Sequence, residues 1–276
     1  MSGQLSRQAF SSCSRRLSSE TKFVEKCPLP AFDSGCTYCQ PVYPESLSVN
    51  PDATLEGTVP MLCRQVLVCS SKSDWPSRVE NDPTSFAAKV REIQLSGVGR
   101  DKDFNFMITS TSLPSTNSKD HSVLLYPDGL YFPAIPDTQI EDFVKNYLVP
   151  SRANEVPNIE SILNVQDLVS PTIIICGHTT RDARCGIAGP MIFAEFELVL
   201  RSKNLLYDKV KSPTGVRVSL ASHVGGHAYA GNVIYLDKGQ SVWYGHVRPE
   251  HVQGIVDQTV EKGIIIKELY RGDAFK

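Results

Sequence analysis

Residues 172–186 read Thr-Ile-Ile-Ile-Cys-Gly-His-Thr-Thr-Arg-Asp-Ala-Arg-Cys-Gly. The stretch opens on an unbroken apolar run, Thr172–Cys176, the pattern of a strand buried on both faces; a strand with one wet face would alternate. It then enters a loop that holds two thiols nine positions apart, Cys176 and Cys185, with Gly177 and Gly186 beside them. A matching run, Gln65–Cys69 (QVLVC), lies 107 residues earlier.

The elements around the two runs also correspond. After Gln65–Cys69 come a helical pattern over Phe86–Leu95, a strand over Phe104–Ile108 and a hairpin over His121–Phe132 turning at Pro127-Asp128-Gly129. A helix follows from about Thr138 to Leu148, with Ile140, Phe143, Val144 and Tyr147 on one side. After Thr172–Cys176, Val233–Leu236 and Ser241–Tyr244 flank the turn Asp237-Lys238-Gly239, and Val252, Ile255 and Val256 repeat Ile140, Phe143 and Val144 at a displacement of 112. Such recurrence at a steady offset indicates two similar units. The expected fold is α/β, two tandem thioredoxin-like domains. The first, 61–150, lacks ligands; a linker, 151–170, leads to the second, 171–276, which carries the two-thiol loop. Residues 20–60 read as an irregular segment with a C-x-x-C.

Composition narrows the function classes. The chain has 276 residues, 28 Lys+Arg against 30 Asp+Glu, and 41% hydrophobic residues, as in an ordinary soluble protein. A net charge of −2 offers no broad basic face for nucleic acid. No apolar run approaches the ~18 residues of a membrane span. Residues 1–19 contain Arg7, Arg15, Arg16 and seven serines but no acid, the composition of a mitochondrial transit peptide.

The chemistry gathers in the second half. Arg181 and Arg184 place positive charge near Cys176 and Cys185, which favours thiolate. Farther on, Ser222-His223-Val-Gly-Gly-His227-Ala-Tyr-Ala-Gly231-Asn232 presents two imidazoles, and Gly225-Gly226 between them argues for a loop over a helix. Cys176, Cys185, His223 and His227 form a Cys2His2 set. Structural zinc sites place their cysteines two to four residues apart, whereas a nine-position step fits around a larger group such as a [2Fe–2S] cluster. By spacing alone, zinc and iron–sulfur both remain open.

The motifs C-G-H-x-x-R-D-x-R-C-G at Cys176–Gly186 and S-H-x-G-G-H-x-x-A-G-N at Ser222–Asn232 resemble those of the sucrase/ferredoxin-like family, thioredoxin-like [2Fe–2S] proteins. Asp74-Trp75-Pro76 and Trp243-Tyr244-Gly245 with Pro249-Glu250 add to the likeness, which runs from about Val66 to the C-terminus. The resemblance implies a [2Fe–2S] cluster held by Cys176, Cys185, His223 and His227. It also implies electron transfer or thiol-redox homeostasis in the mitochondrion, in the matrix, with a redox partner protein whose identity it leaves open. The sucrase of the family name finds no paired catalytic carboxylates here.

Other residues receive smaller roles. His178, Arg181 and Asp182 are expected to brace the loop between the thiols, Arg181 and Asp182 as an ion pair. Cys36-Thr-Tyr-Cys39 is a candidate redox dithiol, although no strand precedes it. Cys27, Cys63 and Cys69 are assigned to the core or left without a role, and His246 and His251 to the surface. Two rival functions stand beside the electron carrier: a thiol–disulfide oxidoreductase or redox sensor, and a zinc-stabilised interaction module.

Overall fold

The two apolar runs become the inner strands of two halves. In the computed structural model, which describes residues 21–47, 49–50, 52–100, 104–116, 119–148 and 164–275, all residues of both runs are buried. The first strand among the described residues is the short β1 (Phe23–Val24). The first half follows as β2 (Arg64–Cys69), α1 (Phe86–Leu95), β3 (Phe106–Thr111), β4 (His121–Tyr126) and β5 (Leu130–Ile135). It closes on α2 (Ile140–Phe143), which continues as a π-helical turn Val144–Leu148. An edge strand β6 (Gln166–Asp167) precedes the second half: β7 (Thr172–Cys176), α3 (Ala183–Ser202), β8 (Arg217–Ala221), β9 (Val233–Asp237), β10 (Gln240–Tyr244) and α4 (Val252–Ile255). Two last strands are β11 (Ile265–Ile266), paired with β1, and β12 (Tyr270–Asp273).

Each half has the same order. β2 pairs parallel with β3 and antiparallel with β4, which pairs with β5; β7 pairs likewise with β8 and β9, and β9 with β10. The halves are not separate sheets, however. They join in one mixed ten-stranded sheet, β12-β10-β9-β7-β8-β3-β2-β4-β5-β6. The seam is a single antiparallel pair, Thr111 opposite Ala221, flanked by Ser222 N–H to Ser110 carbonyl (2.8 Å) and Ser112 N–H to Leu220 carbonyl (2.9 Å).

The sheet bends at that seam. β4 and β7 lie four places apart in its order, about 19 Å in a flat sheet. Yet the Tyr126 hydroxyl of β4 donates to the Thr172 hydroxyl of β7 at 2.9 Å. Leu67, Leu124 and Tyr126 therefore share one core with Ile174, Ile234 and Trp243, between the two halves of the sheet. Alternation sends Val66 and Val68 to the other face, against Phe86, Val90 and Phe143. Ile173 and Ile175 likewise meet Ile192, Phe196 and Ile255. The layers run helix, sheet, sheet, helix.

Three boundaries differ from the sequence reading. The strand expected over Phe104–Ile108 lies at Phe106–Thr111, drawn onward by parallel pairing with all of β2. The linker contributes an edge strand at Gln166–Asp167, and residues 151–163 lie outside the described ones, as does the transit-like segment 1–19. Cys185, read as a loop residue, stands in the first turn of α3. Among the described residues no helix is long and apolar enough to cross a membrane.

A core shared across the bend makes the halves one cooperative unit. Leu67→Ala is expected to cost about 2–5 kcal/mol. Unfolding curves from tryptophan fluorescence and from far-ultraviolet dichroism should shift together. Two separated transitions would mean that the halves unfold independently.

Candidate functional site

Cys176 is the last residue of β7, and Asp182 caps the helix that brings Cys185 to it. The Asp182 carboxylate accepts the Arg184 backbone N–H at 3.0 Å and pairs with the Arg184 guanidinium at 2.9 Å. At an N-cap, a carboxylate turns towards the unpaired amides of the first turn. This corrects the expected Arg181–Asp182 pair: Arg181 instead donates to the Ser77 carbonyl at 3.0 Å. The helix presses closely on the strand end. A Cβ at Gly189 would stand 2.6 Å from the Cys176 carbonyl oxygen, so only glycine allows the approach.

Both thiols are fully buried. A hydrogen bond from Cys185 holds the Cys176 thiol well below its ordinary pKa despite the opposing cost of burial. His223 and the backbone N–H groups of Val224 and His178 add to the effect. The same bond, with burial, pushes Cys185 up. The two thiols thus titrate as a coupled pair, Cys176 losing its proton more readily than Cys185.

The imidazoles are positioned from behind. His178, buried, accepts the His223 backbone N–H on Nδ1 at 2.8 Å and donates from Nε2 to the Trp75 carbonyl at 2.9 Å. Those partners fix its tautomer and keep it from acting as a ligand. Gly225 and Gly226 adopt φ of +83° and +79°, turning the chain between His223 and His227. Arg271, also buried, donates to the Gly225 carbonyl (2.5 Å), the Asn232 side-chain oxygen (2.6 Å) and the Thr58 carbonyl (2.8 Å), with its guanidinium over the Tyr229 ring. Sequence reading missed Arg271, since a lone Arg near a chain end carries no pattern. Asp74-Trp75-Pro76 now has a reason: Asp74 accepts from the Thr180 hydroxyl at 2.6 Å, and the next two carbonyls face His178.

The four proposed ligands are not equally close. Cys176 touches Cys185 and His223, while His227 is exposed, its ring 6.4 Å from that of His223 and its Nδ1 3.5 Å from the Asp182 carboxylate. Among the described residues no group of three or more His, Cys, Asp or Glu side chains is arranged to hold a single metal ion. The donor set is two soft sulfurs and two imidazoles, three of them close together and His227 apart. Donors spread in this way suit a cluster with two metal atoms better than one tetrahedral ion.

Other candidate residues lie apart. Cys36 and Cys39 approach to 3.6 Å in the segment packed on α3, and Cys69 is a buried core thiol. Cys27 is half-buried, its thiol donating to the His251 carbonyl. His246 and His251 are half-buried, not surface residues; burial lowers the pKa of both.

Two substitutions test this framework. Asp182→Ala removes a cap and is expected to cost about 1 kcal/mol. His178→Ala leaves the Trp75 carbonyl and His223 N–H without their partner, about 1–3 kcal/mol for each buried group. Denaturant titration should rank His178→Ala as clearly the more damaging; the reverse order would remove His178 from its bracing role.

A family model described as sucrase/ferredoxin-like matches residues 55–272. Altered inheritance of mitochondria protein 32 from Meyerozyma guilliermondii is 37% identical, over 94% of this chain and 98% of its own. Its namesake from Clavispora lusitaniae is 34% identical over the same shares. Actin patches distal protein 1 from Saccharomyces cerevisiae is 30% identical over 70% of this chain and 67% of its own. No solved structure matches. Since the family model spans the whole site and most of both halves, the chain belongs to the sucrase/ferredoxin-like family.

Proposed function

We propose that this chain is an iron–sulfur redox protein whose [2Fe–2S] cluster is held by Cys176, Cys185, His223 and His227. The observation that carries the reading is the pair of fully buried thiols, Cys176 at the loop end of β7 and Cys185 in the first turn of α3, in contact with each other and with His223. A thiol held below its ordinary pKa binds a cationic core at less cost in deprotonation. The cysteines would serve one iron and the histidines the other, more exposed one. When bound, such a cluster accepts and returns one electron, at a potential raised by replacing two thiolates with neutral imidazoles.

The chain's own residues do the rest. Burial of both cysteines keeps solvent from the sulfurs, and the backbone N–H groups of His178 and Val224 donate to Cys176. His223 and His227 stand on the exposed side, where an electron partner can approach and imidazole protonation can follow electron gain. The order of strands in each half supports a thioredoxin-like reading of both. In it the second half carries the site, and the first supplies the Trp75 carbonyl that fixes His178. The relatives' name, altered inheritance of mitochondria protein 32, and the Arg- and Ser-rich start support a mitochondrial location.

Protein purified without oxygen is expected to be brown and to contain two irons and two sulfides per chain, and Cys185→Ser should lose them. Colourless protein carrying one zinc, or nothing after anaerobic reconstitution, would overturn the reading. If histidines ligate, the midpoint potential should fall as pH rises, because reduction takes up protons. His227→Cys adds a negative charge, so it should lower the potential and weaken that slope; a slope unchanged by His227→Cys would remove His227 from the ligand set.

A further inference from the structure

The segment before the first half holds a second sulfur site, which the cluster reading does not use. Cys36 and Cys39 bring their sulfurs to 3.6 Å, both as free thiols in a half-buried loop. The Cys39 backbone N–H donates to the Cys36 carbonyl at 3.1 Å, so a tight turn sets the approach. A disulfide bond is about 2.05 Å long, so closure asks the sulfurs to move together by roughly 1.5 Å.

The turn is held on the body of the protein. Glu195 of α3 is fully buried, and its carboxylate accepts the Thr37 hydroxyl at 2.7 Å and the Ser34 hydroxyl. Both donors flank Cys36, and Thr37 is itself fully buried. The Ser34 backbone N–H donates to the Thr37 hydroxyl at 3.0 Å, closing a small network under the dithiol. A carboxylate inside an otherwise apolar helix packing is costly unless it is fully hydrogen-bonded. Here its partners come from the dithiol loop.

The surroundings point to a macromolecular partner. Leu29, Phe32, Tyr38 and Val42 expose 91%, 42%, 58% and 83% of their surface, and all lie within seven residues of Cys36 or Cys39. Exposed apolar side chains in the same segment as half-exposed sulfur suit a partner polypeptide more than a small polar thiol.

We propose that Cys36 and Cys39 form a thiol–disulfide exchange site that reduces disulfides of partner proteins. One thiolate of the pair attacks a sulfur of the partner disulfide, whose S–S bond breaks, and the departing partner sulfur takes up a proton. A mixed disulfide joins the two proteins. The second cysteine, losing its proton, attacks its neighbour's sulfur, forming the Cys36–Cys39 bond and releasing the second partner thiol. Two electrons and two protons pass from the dithiol to the partner. The surroundings of the pair favour that direction. The Cys36 thiol is pushed up by its hydrogen bond to Cys39 and by burial, with Glu195 and Asp33 adding to the effect. A dithiol whose anionic form is disfavoured gives up electrons more readily than one that is stabilised as thiolate.

The test uses the full chain with insulin as the disulfide substrate and dithiothreitol to regenerate the dithiol. Wild-type protein is expected to accelerate insulin reduction. Cys36→Ser and Cys39→Ser should each lose at least tenfold, and Cys27→Ser should keep full rate. Oxidised glutathione should remove two hydrogens from the protein mass, with the new bond mapped to Cys36–Cys39. Wild-type rates no faster than dithiothreitol alone, rates indifferent to both serine variants, or thiols that stay reduced under oxidised glutathione would each overturn the proposal. These readouts require no iron, so their failure is distinct from failure of the cluster reading.

Discussion

One buried imidazole ties the functional loop to the rest of the molecule. His178 uses both ring nitrogens on backbone groups: it accepts the His223 N–H and donates to the Trp75 carbonyl. Trp75 belongs to the loop that follows β2 in the first half, and His223 to the loop that follows β8 in the second. A single side chain therefore spans the boundary between halves and sets where an imidazole can stand relative to Cys176. Its backbone N–H also helps stabilise the Cys176 thiolate. Since both ring nitrogens are committed, the histidine lying between the two cysteines in sequence acts on the site through its neighbours.

The bent sheet gives the first half a purpose despite its lack of ligands. Residues displaced by about 110 meet at the seam, where Thr111 faces Ala221, and the turn at Gly129 lies against Lys238 of the turn at Asp237–Gly239. Similar surfaces meeting one another is the contact pattern of a two-fold pair, here within one chain. The arrangement buries one face of each half-sheet against the other and leaves helices to cover the outer faces. The loop after β2, occupying the place that carries cysteines in the second half, is thereby free to serve as a brace. Arg271 does the same from the opposite side, tying Gly225 and Asn232 to Thr58.

Much of this was legible in particular residues. Gln65–Cys69 and Thr172–Cys176 announced themselves because burial of both strand faces leaves no polar position in the middle of the run. Pro127-Asp128-Gly129 and Asp237-Lys238-Gly239 marked the hairpins because tight turns need those residues. Helix α3 did not emerge from the sequence because it contains Gly186, Gly189 and Pro190, residues of low helix propensity. Their glycines are there so that the helix can touch the Cys176 loop, a tertiary demand that local propensity does not express. The seam was equally hidden, since it rests on backbone groups and serine hydroxyls. The Asp182 partner was misread because two arginines flank it, and the helix cap, invisible in spacing, selected Arg184. In the same way, motif spacing brought the four candidate ligands onto adjoining loops but did not show that His227 rests against Asp182.

Unequal ligation is the central claim: sulfur on one iron, imidazole nitrogen on the other. The most direct measurement is pulsed electron paramagnetic resonance of the reduced protein, purified anaerobically with nitrogen-15 in its histidines only. The expected result is strong coupling to two imidazole nitrogens, with one lost in His227→Cys. A reduced-cluster signal without strong nitrogen coupling would contradict histidine ligation and place the cluster on thiolates alone.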